Sequence, residues 1–164
     1  AMGRNAAGVR GMRLPPGGRV ISLLTAENEN VSVLTATENG YGKRTPISDY
    51  TRHARGTQGM IAIQTSERNG KVVAAALVSR EDEIMLITDG GVLIRTRVRE
   101  IREMGRSTQG VTLINLGEGE KLSGLQCILD RDEEGEGSNG NGANGNGNGH
   151  GNGNGHGEGH EPAN

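Results

Sequence analysis

The sequence predicts an all-β fold assembled from a repeat of about 50 residues, each copy supplying roughly four short strands in the manner of a propeller blade. Three observations lead there. The string Arg-x-x-x-Gly-[Val/Met] occurs at Arg4…Gly8-Val9, Arg55…Gly59-Met60 and Arg106…Gly110-Val111, with 51 residues between successive copies. Other residues obey the same period: Thr37 with Thr88, Gly40 with Gly91, and Arg44-Thr45 with Arg95-Thr96. Between these landmarks lie short runs rich in Val, Ile and Thr, which favour strands over helices.

Taken in order, residues 19–25 (RVISLLT), 31–37 (VSVLTAT) and 41–47 (YGKRTPI) read as strands of one repeat. Residues 71–78 (KVVAAALV), 83–88 (EIMLIT) and 92–98 (VLIRTRV) read as strands of the next. The segments after the second and third Arg-x-x-x-Gly strings, 60–65 and 110–116, are expected to be strands as well. Asn39-Gly40, Arg68-Asn69-Gly70 and Asp89-Gly90-Gly91 are turn-formers that separate them. Ala74-Ala75-Ala76 tolerates a helix and is the least strand-like part. Residues 47–54 and 98–105 are polar and Arg-rich, which predicts loops with at most one helical turn. Val72–Val78 and Ile84–Ile87 are apolar on both faces, so the sheets should stack on one another rather than face water. The repeat spans residues 1–129 and amounts to about two and a half blades. Gly8, Gly59 and Gly110 are expected to serve positive φ or close strand approach.

Residues 130–164 are a different material. An acidic start, Asp-Arg-Asp-Glu-Glu, gives way to Gly/Asn alternation that offers nothing to pack, which predicts disorder. The net charge of −2 therefore conceals two parts. Residues 1–129 hold 17 Lys/Arg against 13 Asp/Glu, and the tail holds one Arg against seven acids. A mildly basic body suits a polyanionic partner, and an acidic tail can compete for the same surface. His150, His156 and His160 lie in glycine-rich coil that organises no metal geometry. Cys127 is the only cysteine, which excludes an intrachain disulfide and fits a reducing cytoplasm. It reads as a small buried hydrophobe rather than a nucleophile. No segment reads as a signal peptide or a membrane span.

The chemistry-bearing pattern is Val92-Leu93-Ile94-Arg95-Thr96-Arg97-Val98-Arg99. Strand alternation places Arg95, Arg97 and Arg99 on one side. Three guanidiniums in a row must face solvent or an anion, and they match phosphate because each donates paired hydrogen bonds. The competing reading is an edge strand that uses charge against aggregation. Arg102 and Arg106 extend the run. The preceding repeat offers Lys43, Arg44, Arg52 and Arg55, and the first partial copy offers Arg10 and Arg13. Arg4, Arg55 and Arg106 either touch a partner or brace the turn before their glycine, and recurrence in every copy favours bracing. No catalytic constellation and no Walker lysine pattern is present. Glu81-Asp82-Glu83 reads as a solvated turn. With no Trp or Phe and only Tyr41 and Tyr50, base stacking on single strands is disfavoured.

MGRNAAGVRGMRL at 2–14, NGYGKRTPISDYTRHARGTQGMIAI at 39–63 and DGGVLIRTRVREIREMGRSTQGVTLINL at 89–116 together resemble the C-terminal DNA-wrapping domain of the bacterial DNA gyrase A protein. The resemblance covers about residues 2–129. It implies a β-pinwheel whose basic rim binds and bends duplex DNA, supporting negative supercoiling by a cytoplasmic, nucleoid-associated type IIA topoisomerase. It also implies gyrase B and the remainder of gyrase A as partners. ATP and Mg would act elsewhere in that enzyme and no cofactor in this chain, which would have no catalytic activity alone. Two departures are visible: the breakage-reunion domain with its tyrosine, and a Gln-Arg-Arg-Gly-Gly-type box, are not found in the sequence. The similar domain of topoisomerase IV is the alternative, and a protein-interaction propeller is the rival of another class.

Overall fold

The structure is a computed structural model in which residues 3–128 are described; the acidic tail predicted at 130–164, with its histidines, lies outside them. The described residues fall in one compact unit. They form seven strands and two 3-10 turns, with no α-helix among them. The strands are β1 (Ser32–Thr37), β2 (Tyr41–Pro46), β3 (Val72–Val78), β4 (Glu83–Thr88), β5 (Leu93–Arg97), β6 (Val111–Thr112) and β7 (Leu122–Ile128). The 3-10 turns, Ile47–Asp49 and Val98–Glu100, stand where the Arg-rich loops were expected to hold a helical turn.

The strands make two antiparallel sheets, one ordered β3-β1-β2-β6 and the other β5-β4-β7. Each is a hairpin joined by a strand from the following repeat. β1 and β2 meet at a turn in which Gly40 N donates to Thr37 O at 3.0 Å; β4 and β5 meet at its counterpart, Gly91 N to Thr88 O at 3.2 Å. Both glycines have positive φ, 79° and 84°. The register slips at Ala36/Thr37 against β3 and at Ile87/Thr88 against β7, which is the same place in the two repeats.

Side-chain alternation sorts each hairpin into two faces. Leu34 and Ala36 of the first sheet pack with Ile84 and Leu86 of the second, and Val78, Val98, Ile101, Ile114 and Leu122 complete a buried aliphatic core. Burying each large side chain of that set contributes about 1.5–3 kcal/mol. β1 is buried along its whole length, in line with stacked sheets.

Three expectations fail. Residues 19–25 form no strand, 60–65 form none, and of 110–116 only Val111–Thr112 pairs. β7 is a strand that local pattern does not announce, although Lys121-Leu122 sits where Lys71-Val72 begins β3. The pairing rule explains the failures. The opening strand of a repeat joins the hairpin of the repeat before it, as β3 joins β1 and β7 joins β4. Among the described residues no hairpin precedes 19–25; the segment stays outside the sheets, touching β3 where Ala75 N donates to Ser22 Oγ at 3.2 Å, and Val20 and Leu23 are 64% and 91% exposed. The same holds for 60–61, whose counterpart β6 pairs with β2. The alanine run, helix-tolerant in isolation, is strand in β3 because β1 lies beside it.

Candidate nucleic-acid interface

The three Arg-x-x-x-Gly copies are laid side by side. Arg13 N donates to Thr57 O at 2.8 Å, and Gln64 N donates to Thr108 O at 2.9 Å. Donors and acceptors are each 51 residues apart, so each copy docks on the next in constant register. Gly56 N to Gly11 O at 2.8 Å and a parallel bridge between Met12 and Thr57 reinforce the first junction. Gly8, Gly59 and Gly110 have φ of 81°, 77° and 80°, as expected. At Gly110 a Cβ would also stand 2.6 Å from Gly42 O. Arg10, Arg13, Arg52 and Arg55 are exposed, and Arg106 is half-buried. The bracing is done by backbone: among the described residues no side chain accepts a hydrogen bond from the guanidinium of Arg4, Arg55 or Arg106.

On the second sheet, β5 alternates as predicted, with Arg95 and Arg97 outward and Ile94 and Thr96 inward. The row is shorter than expected. β5 ends at Arg97, and Arg99 sits in the 3-10 turn, exposed but off the strand. Glu83 lies opposite Arg97 in register and pairs with both arginines: Arg95 Nε donates to Oε2, and Arg97 Nε to Oε1 at 3.4 Å. The two guanidiniums hold the Glu83 carboxyl below the ordinary carboxylate range. Local pattern makes Glu83 part of a solvated turn, and the structure corrects that. Its role was discoverable from hairpin register, which brings position 83 to 97 across the Asp89-Gly90-Gly91 turn.

The first hairpin corrects two predicted contacts. Lys43 is 0% exposed, and its ammonium donates to the carbonyls of Gly105 and Arg106. Burial, and secondarily the Arg106 charge, push its pKa down to about 8, with Asp49 opposing. Arg44 donates through Nε to Ile101 O at 2.8 Å and pairs with Glu103 at 3.1 Å, its side chain 13% exposed. Its backbone continues the ladder, N to Arg102 O at 3.3 Å and O from Met104 N at 2.9 Å. Neither side chain reaches solvent in a way that serves an external phosphate. The sequence could not say so, because their acceptors lie about 60 residues on. Arg102 remains exposed beside them.

Burial and the neighbouring Asp82 raise the Cys127 thiol to about 11, which disfavours the thiolate. Among the described residues no group of His, Cys, Asp and Glu could hold a metal, and no helix is long and apolar enough to cross a membrane.

A family model described as the DNA gyrase C-terminal domain, beta-propeller, matches residues 1–27, 32–79 and 82–128. The chain belongs to that family. The gyrase relatives are similar at length. The DNA gyrase A protein of Neisseria gonorrhoeae is 57% identical over 136 residues, covering 80% of this chain and 15% of that protein. Its Escherichia coli K12 counterpart is 50% identical over 134 residues, covering 82% and 15%. The chain thus spans about a seventh of the length of these relatives. Among solved structures, a DNA gyrase A C-terminal domain superposes with a TM-score of 0.69 at 29% identity, covering 74% of this chain and 41% of that one. A topoisomerase IV C-terminal domain also reaches 0.69, at 21% identity over 74% and 38%, and speaks to the fold alone. The all-β, propeller-type reading and the gyrase resemblance both stand.

Proposed function

We propose that this gyrase domain binds duplex DNA by its phosphate backbone and bends it, acting within the DNA gyrase A protein to support negative supercoiling. The observation that supports the reading is the constant register of the three docked motif copies, in and beside which Arg10, Arg13 and Arg55 are exposed. Arg10, Arg13, Arg52, Arg55, Arg99 and Arg102 are the proposed contacts, with Arg106 contributing from a half-buried position. Arg95 and Arg97 belong to the set only in part, because Glu83 offsets one of their two charges. Affinity then comes from counterion release, and sequence preference from how easily the duplex bends. Catalysis, ATP and Mg belong to other parts of the enzyme, with gyrase B and the rest of gyrase A as partners, in the bacterial cytoplasm at the nucleoid. The tail at 130–164 competes with DNA for the basic surface.

The test is fluorescence anisotropy of a labelled duplex titrated with this chain over a range of salt. Replacing Arg52, Arg55, Arg99 and Arg102 by Ala should flatten the log–log salt slope by roughly 0.9 for each lost contact. An unchanged slope would remove these residues from the interface. Topoisomer relaxation by the chain alone would refute the non-catalytic assignment.

A further inference from the structure

Lys43 stands out as a charged side chain with no exposure to solvent. It is fully buried, and its ammonium bonds to two main-chain carbonyls, those of Gly105 and Arg106. At the same place in the second hairpin, 51 residues on, the chain has Ile94. The difference follows the surroundings. β2 has the 101–106 segment of the next repeat docked along it, whereas β5 is the outer strand of its sheet. A lysine occurs where a turn presents carbonyls to it, and an isoleucine where none of the described segments does. A turn that aims two carbonyls at one point needs more than one donor there, and an ammonium has three.

The same segment carries Arg102 and Arg106. Its main chain is tied to β2 at every step: Arg102 O by Arg44 N, Met104 N by Arg44 O, and Met104 O by Thr45 Oγ1 at 2.8 Å. Lys43 supplies the next ties, at Gly105 and at Arg106, the first residue of the third Arg-x-x-x-Gly copy.

We infer that Lys43 is a positioning residue for DNA binding: its buried ammonium clamps the Gly105–Arg106 turn and so fixes where the guanidiniums of Arg102 and Arg106 stand, without touching phosphate itself. This rests on the DNA-binding reading above. The clamp tells the basic segment where to sit, and exposed Arg102 with half-buried Arg106 does the binding.

The three lysines, Lys43, Lys71 and Lys121, make the first test direct. Reductive dimethylation of the whole chain, read by peptide mass spectrometry, should modify exposed Lys71 and leave Lys43 unmodified, with and without duplex DNA. A Lys43 that labels in the free chain and becomes protected by DNA is a phosphate contact, and the inference is overturned. The second test is a double-mutant cycle in duplex affinity. Lys43→Met and Arg102→Ala should be non-additive, because the unclamped segment no longer presents Arg102. Lys43→Met and Arg52→Ala should add. Additivity of the first pair counts against the clamp. Should Lys43→Met fail to fold, the labelling result on the unaltered chain still decides. Hydrogen exchange separates the two readings: faster exchange at amides 101–108 in Lys43→Met supports the clamp even if the chain proves not to bind duplex, and unchanged exchange refutes it even if binding is tight.

Discussion

Strand β2 has no exposed residue and strand β5 is exposed at every second residue, although both occupy the same place in the 51-residue repeat. The residues that differ do so in step with what lies beside them. Gly42 corresponds to Leu93, Lys43 to Ile94, and Ser32 to Glu83, while Arg44 and Arg95 are the same residue. Arg44 finds its carboxylate, Glu103, in the following repeat. Arg95 finds Glu83 within its own sheet, where the first hairpin has only Ser32. A single backbone template thus serves two environments, and side chains at fixed positions are adjusted to whether a segment docks on the hairpin. The lesson for reading such repeats is that equivalence of position does not confer equivalence of role.

The largest effect expected from this comparison is at the glycine. A Cβ at Gly42 would lie 2.4 Å from both Leu113 Cδ1 and Thr35 O, whereas Leu93 stands 60% exposed. Gly42→Ala should therefore destabilise by about 1–3 kcal/mol through overpacking, and Leu93→Ala by under about 0.5 kcal/mol, as for other surface changes. Urea unfolding of the two variants checks this. Equal losses would mean that the two hairpins are not packed differently.

Next comes the pH dependence at Lys43. Its folded pKa, about 8, lies below the ordinary lysine value of 10.5. The unfolded chain therefore holds more protons between those two values, and stability should rise with pH across that window. Tyr50 and Cys127, raised by burial, act in the opposite sense. The difference in melting temperature between the unaltered chain and Lys43→Met isolates the lysine. A flat difference from pH 8 to 10.5 would show that the ammonium is hydrated, not buried.

The paired arginines sharpen the contrast further. Arg44→Ala leaves Ile101 O without its donor and should cost about 1–2 kcal/mol of stability, while its partner Glu103, half exposed, adds little. Arg95→Ala, at a side chain 56% exposed, should leave unfolding nearly unchanged. Reversed outcomes would place the structural arginine in the second hairpin.

How much of this is legible in the sequence follows from the range of the interactions. β1, β2, β4 and β5 are readable because alternation and Gly-containing turns are local, and β4 is bounded to the residue. Segment 19–25 carries the same strand signal as β3, yet forms nothing, since a strand needs a partner and the sequence of the strand does not contain one. Lys43 looks in sequence like an exposed basic residue because the carbonyls it bonds to lie far along the chain. The stacking of motif copies is implicit in their spacing, but which arginines remain open to solvent depends on docking between repeats.

The smallest effect concerns Glu83, and it bears most directly on DNA. In the first hairpin, the carboxylate that neutralises Arg44 belongs to another repeat; in the second, Glu83 sits among the arginines it pairs with and is itself only 18% exposed. Glu83→Gln keeps the side chain's shape and removes its charge, so the negative charge beside Arg95 and Arg97 no longer opposes phosphate. Duplex affinity should rise roughly twofold to fivefold at low salt, and less as salt screens the added charge. The salt slope should steepen at the same time. If affinity is unmoved while the arginine substitutions at 52, 55, 99 and 102 weaken binding, the interface follows the line of docked motifs and leaves the β4–β5 face out of it. If affinity rises, both surfaces contribute, and Glu83 limits how strongly the second one does.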